Sequence, residues 1–156
     1  MNLIQELAKA DKENKYFILL RKKYFNELSL PENFEKVLAD FRHYSFREQI
    51  ALSKIIREIA PDLVHFLHFN VPIFFRGRYL VTIHDIVMHR HWGRQATTLP
   101  LPLYLVKRLG YRLVFDRAVK KALKIIVPSD FVKKELVNFY KLDPKKLEVI
   151  YEGVSL

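Results

Sequence analysis

The sequence contains no cysteine, which removes disulfides, thiolate zinc sites and cysteine nucleophiles together. That absence suits a reducing compartment, and a cytoplasmic chain is expected. Glycine is scarce too, with four in 156 residues. Neither the dinucleotide-binding nor the P-loop glycine pattern occurs, so no phosphate-cradling loop is available. No run approaches the roughly 18 apolar residues that span a bilayer. The start lacks a basic segment followed by an apolar one, so no secretory signal is read there. Acidic residues are outnumbered, 17 against 27 basic, for a formal charge of +10.

What is present reads as a folded α/β chain. Half of the residues are hydrophobic, and the length suffices for one domain with a real core. Leu3, Ile4 and Leu7 give helical spacing over 2–10, and the polar turn 11–14 leads into the apolar run 16–20, a strand. A second strand is expected within 34–41. Ser45 with Glu48 three residues on forms a capping box opening a helix, which Pro61 stops. Strands follow at 62–67 and 79–84, then a long polar loop over 86–100, a candidate functional loop. A mixed apolar and basic helix covers 101–123, with a break expected near Gly110. Residues 124–127 form a strand, Ser129 caps a helix with Val132, Leu136 and Phe139 inward, and 147–151 is a last strand. Such alternation argues for a parallel sheet with helices on both faces.

The run Tyr79-Leu80-Val81-Thr82-Ile83 ends abruptly in His84-Asp85. In open parallel sheets, ligands sit beyond the carboxyl ends of the strands, where this pair falls. An ordinary strand ending in two polar residues is the alternative reading. Six histidines invite a metal site, but none is expected. His65 and His68 would face opposite sides of a strand. His89 and His91 can share a face, yet no nearby carboxylate or cysteine completes a ligand set. The pair His84-Asp85 ends a strand, so a helical His-Asp phosphohydrolase does not fit. Ser129 lacks the flanking glycines of a nucleophile elbow and reads as a cap. Free N–H groups at that helix start can also hold a phosphate or a sugar hydroxyl. Residues 101–146 carry twelve Lys/Arg against four Asp/Glu, a patch that attracts anions or is simply a solvated surface. Tyr104, Tyr111 and Phe115, at helical spacing, read more readily as core than as stacking platforms.

Four segments occur in a familiar order: Asp62-Leu63-Val64-His65; Val81-Thr82-Ile83-His84-Asp85-Ile86; Ile125-Ile126-Val127-Pro128-Ser129-Asp130-Phe131 with Lys134-Glu135-Leu136; and Leu147-Glu148-Val149-Ile150-Tyr151-Glu152-Gly153-Val154. This series resembles the N-terminal, acceptor-side domain of family 4 glycosyltransferases, retaining enzymes of the GT-B fold. The resemblance implies a Rossmann-like half of that fold over residues 1–156. A donor-binding domain carrying the nucleotide-sugar site is expected from another segment or chain. It implies sugar transfer from a nucleotide-sugar to a glycan or lipid-linked acceptor, with no metal or other cofactor. His84 maps onto the histidine that reaches the donor sugar, and Asp85 is expected to fix its tautomer. Ser129 matches the helix start lining the cleft, and His68, Asn70 and Arg76 are expected on the acceptor side with the 86–100 loop.

The family's first strand and its glycine-rich loop are expected before Met1, and the donor domain after Val154. The chain therefore reads as a gene fragment or half of a split enzyme, inactive alone. Losing a central strand leaves two neighbours with open edges, each unsatisfied buried group costing on the order of 1–3 kcal/mol. Marginal stability of the isolated chain is the consequence. Expected partners are the donor half, the acceptor, and an anionic membrane face met peripherally through 101–146. The alternative function is a non-catalytic basic module on an anionic membrane or nucleic acid; within the glycosyltransferase reading, nucleic acid is not expected.

Overall fold

The computed structural model describes residues 2–42, 44–86 and 100–153. Most of the expected 86–100 loop, including His89 and His91, lies outside the described residues. The chain divides into two compact units, Met1–Ile55 and Ile56–Leu156. Each holds its own parallel sheet flanked by helices, as the α/β reading requires.

The first unit begins with α1 (Asn2–Ala10), β1 (Tyr16–Leu20), α2 (Lys22–Phe25) and β2 (Phe34–Leu38). Strands β1 and β2 pair in parallel from Tyr16↔Phe34 to Leu20↔Leu38, and the Tyr16 and Phe34 rings stack at 4.5 Å. The polar turn before β1 is organised by one carboxylate. Asp11 accepts from the Tyr16 hydroxyl, from the Asn14 side-chain amide at 2.7 Å, and from the backbone N–H groups of Glu13 at 2.9 Å and Asn14 at 3.1 Å. These donors, the Tyr16 hydroxyl foremost, hold the Asp11 carboxyl far below the usual range.

Helix α3 (Phe46–Ile59) starts as its capping pattern requires. The Glu48 N–H donates to Ser45 Oγ at 3.1 Å. The Glu48 carboxylate accepts from the Tyr44 N–H at 2.7 Å, one residue before the position a standard capping box uses. The helix stops ahead of Pro61, with Ala60 in a left-handed conformation at φ 50°.

In the second unit the elements are β3 (Val64–Phe66), β4 (Tyr79–Thr82), α4 (Leu101–Lys121), β5 (Lys124–Val127), α5 (Asp130–Tyr140), a short 3-10 turn (Pro144–Lys146) and β6 (Leu147–Val149). The sheet order is β3-β4-β5-β6, all parallel, so every carboxyl end opens on one edge. Strands β1 and β3 each form an edge of their own sheet.

Tyr79, Val81, Ile83, Ile125, Val127, Leu136 and Leu147 form the centre of the core with Phe115, Ala118 and Val119 of α4. Phe115 is the aromatic hub, its ring 5.1 Å from Phe69, 5.6 Å from Tyr111 and 5.9 Å from Tyr140. Two phenols lock α4 in place. The Tyr79 hydroxyl donates to the Arg117 and Ala118 carbonyls, and the Tyr140 hydroxyl donates to Asp116 Oδ1 at 2.7 Å. Burial pushes the Tyr79 phenol up to about 12 and raises that of Tyr140 further.

Three local expectations change. Helix α4 runs unbroken through Gly110, because a missing Cβ alone costs about 1 kcal/mol and cannot break a helix anchored by a buried turn. Phe139 faces solvent rather than the core, since Leu136 and Val132 already fill the inward face of α5. The last strand ends at Val149, with Ile150 and Tyr151 exposed, although the Ile150 N–H still donates to the Val127 carbonyl.

Candidate functional site at the carboxyl edge of the sheet

The site is assembled where β3, β4, β5 and β6 end. Buried side chains alternate along β4 and the residue after it, at Tyr79, Val81 and Ile83, and the Ile83 N–H still donates to the Ile126 carbonyl at 2.9 Å. The next residue, His84, is thereby released at the rim. Its side chain is 49% exposed, so the ring stands at the edge and not inside the core.

Two groups from other chain segments fix that ring. Nδ1 of His84 lies 2.9 Å from Glu152 Oε1, and Nε2 lies 3.3 Å from the Leu67 carbonyl oxygen. Leu67 follows β3 and Glu152 follows β6, so the contacts reach His84 from both sides, that of Glu152 crossing the exit of β5. Asp85 is exposed beside His84 on the chain; the carboxylate placed on Nδ1 is that of Glu152. Glu152 lies 68 residues from His84, and no spacing rule links them. Its place in the 147–154 segment that carries the family resemblance was the available signal.

Ser129 stands at the same edge, following β5. Its Oγ accepts from the Val132 N–H at 3.3 Å, so the cap is made, while the hydroxyl proton stays free to donate. Nearby, the Tyr151 hydroxyl donates to Asp130 Oδ2 at 3.0 Å, tying the tail of β6 to the start of α5.

The connection from β3 to β4 carries the three remaining candidates. His68 is exposed and its ring lies 4.1 Å from that of Phe69. Asn70 is half-buried two residues further on. Both leave the carboxyl end of β3 and belong to the His84 edge. Arg76 is exposed three residues before β4 starts, so it stands at the amino end of that strand, away from His84. His65 sits on β3 with Nε2 2.9 Å from Thr82 Oγ1, and partial burial lowers its pKa. Among the described residues no three of His, Asp and Glu come close enough to hold a metal ion.

The arrangement is an exposed imidazole with a fixed orientation, beside a capped helix start with unused N–H groups. It can donate hydrogen bonds to a polar ligand lying across the edge. The family model described as Glycosyltransferase Family 4 matches residues 1–156. No curated protein matches the chain.

Proposed function

The chain belongs to glycosyltransferase family 4, and on that premise we propose that it is the acceptor-side half of a retaining glycosyltransferase. It works with a donor-binding half to move a sugar from a nucleotide-sugar to a glycan or lipid-linked acceptor. The observation that carries this reading is the exposed, oriented His84 at the carboxyl edge of a parallel sheet. In a retaining transfer, positive charge builds on the sugar carbon while negative charge builds on the departing phosphate. An N–H of His84 donating to the sugar or to that phosphate strengthens as the charge develops. Ser129 and the first N–H groups of α5 supply further donors at the same edge. His68 and Asn70 bind on the acceptor side in this reading. No metal takes part.

The test combines the native chain with a family 4 donor-binding half and labelled nucleotide-sugars. His84→Ala is expected to lower turnover by roughly 10²–10⁴, the range for one hydrogen-bonding group in a transition state. Equal turnover for both chains removes His84 from the reaction.

A second reading, a basic module on an anionic membrane, is favoured by helix α4. One face of α4 is buried through Phe115, Ala118 and Val119. Towards its start the same helix exposes apolar side chains, with Leu101, Leu105, Val106, Leu109 and Leu113 between 49% and 70% exposed. Lys107, Arg112, Lys120 and Lys121 are exposed on the same helix. Exposed apolar side chains interspersed with basic ones fit the boundary between acyl chains and anionic headgroups. A net charge of +10 opposes self-association through this helix. Among the described residues no helix is long and apolar enough to cross a membrane, so such contact is peripheral. Co-sedimentation with vesicles containing phosphatidylglycerol tests it. Binding should fall about tenfold or more for Val106→Ser/Leu109→Ser and should weaken with salt. Undiminished binding by that variant sinks this reading. Both readings hold together if the acceptor is lipid-linked.

A further inference from the structure

We infer that Glu152 is the positioning residue for His84, setting both the rotamer of the ring and the nitrogen that carries its proton. The inference rests on the sugar-transfer reading for its consequence, but not for its geometry. A carboxylate only accepts hydrogen bonds, so the 2.9 Å contact with Nδ1 requires a proton on that nitrogen. Neutral imidazole carries one proton, and a Glu152 partner therefore selects the Nδ1–H form over the Nε2–H form. The second neighbour, the Leu67 carbonyl at 3.3 Å from Nε2, is also an acceptor. A ring bearing both protons satisfies both neighbours, and a ring bearing one keeps the shorter contact.

The consequence concerns what the ring offers a ligand. With Nδ1 committed to Glu152, Nε2 is the nitrogen left to face an incoming group, because its contact with Leu67 is the longer and weaker one. A ring bearing both protons donates from Nε2 to the sugar or the departing phosphate, whereas a ring protonated on Nδ1 alone accepts there from a sugar hydroxyl. A ligand that displaces the Leu67 carbonyl meets an imidazole whose plane and tautomer are already chosen. Preorganisation of this kind removes the cost of turning the ring during the reaction. The pair contributes little to stability, since the two side chains are 49% and 69% exposed and the ion pair is screened by solvent. Its effect is expected in chemistry, not in melting.

The experiment reads the ring nitrogens directly. Two-bond ¹H–¹⁵N correlation spectra of His84 are recorded for the native chain, Glu152→Ala and Glu152→Gln, with thermal melting as the control for folding. The native spectrum should place a proton on Nδ1. Glu152→Ala should move it toward Nε2, and Glu152→Gln should restore part of the native pattern because its amide oxygen can still accept. In the assembled enzyme, Glu152→Ala should lower kcat roughly ten- to a hundredfold, the worth of one charge-assisted hydrogen bond, with KM little changed. A native His84 without a proton on Nδ1, or one indifferent to Glu152→Ala, overturns the inference. If the tautomer responds to Glu152→Ala while His84→Ala leaves turnover unchanged, the pairing stands and the sugar-transfer role of His84 falls.

Discussion

Replacing Phe115 with alanine tests the link between the core and the candidate site. The Phe115 side chain is fully buried, and its ring packs against Phe69, Tyr111 and Tyr140 at centroid distances of 5.1, 5.6 and 5.9 Å. Truncating a buried phenylalanine costs about 3–5 kcal/mol from lost transfer energy and the cavity left behind. Three aromatic partners place this position toward the upper end. Against a total stability of about 5–15 kcal/mol, the loss is large. The structural consequence reaches the site through Phe69, two residues after Leu67, whose carbonyl faces His84 Nε2. Phe115→Ala should therefore raise amide exchange across residues 67–71 as well as lower the urea midpoint. Leu113→Ala, two residues away and exposed, serves as the control and should change stability by less than about 0.5 kcal/mol. A loss below about 1 kcal/mol for Phe115→Ala, or unchanged exchange at 67–71, would refute the claim that this ring anchors the site.

Further outcomes are expected elsewhere in the second unit. Ser129→Ala removes the acceptor of the Val132 N–H and should cost about 1 kcal/mol in thermal unfolding; no change would mean the cap is not made in solution. Lys141 ends α5 in a left-handed conformation at φ 52° and ψ 43°, so Lys141→Gly should stabilise the chain by up to about 1 kcal/mol. A destabilised Lys141→Gly chain would contradict that geometry. The Tyr79 phenol titrates near 12 in the fold against 10 when unfolded. Its contribution is complete below pH 10 and is lost as pH rises toward 12, because only the unfolded chain gives up the proton in that window. The difference in urea midpoint between native chain and Tyr79→Phe should accordingly narrow over that window, and a constant difference would refute the assignment.

Much of this arrangement is legible along the chain because it is local. Short continuous apolar runs marked β1, β4 and β5, and Ser45 and Ser129 were readable as caps since capping is decided within four residues. His84 was readable as a rim residue because a buried run ends in a polar pair. Arg76 is close in sequence to His68 and Asn70 yet stands at the amino end of β4. The connection between parallel strands must return to the opposite edge, and Arg76 lies on the returning part. The unbroken course of α4 through Gly110 was likewise set by the buried last turns of that helix and not by local propensity.

By itself, then, the sequence determined the parallel α/β class, the starts of the capped helices and the exposure of an imidazole where β4 ends. Those features depend on spacing and on groups a few residues apart. Only the tertiary structure decided what holds that imidazole. Glu152 and the Leu67 carbonyl lie just beyond β6 and β3, on opposite sides of β4, and strand order is a property of the assembled sheet. The division of the strands into two sheets, β1-β2 and β3-β4-β5-β6, has the same origin, since pairing joins residues that no short-range pattern connects.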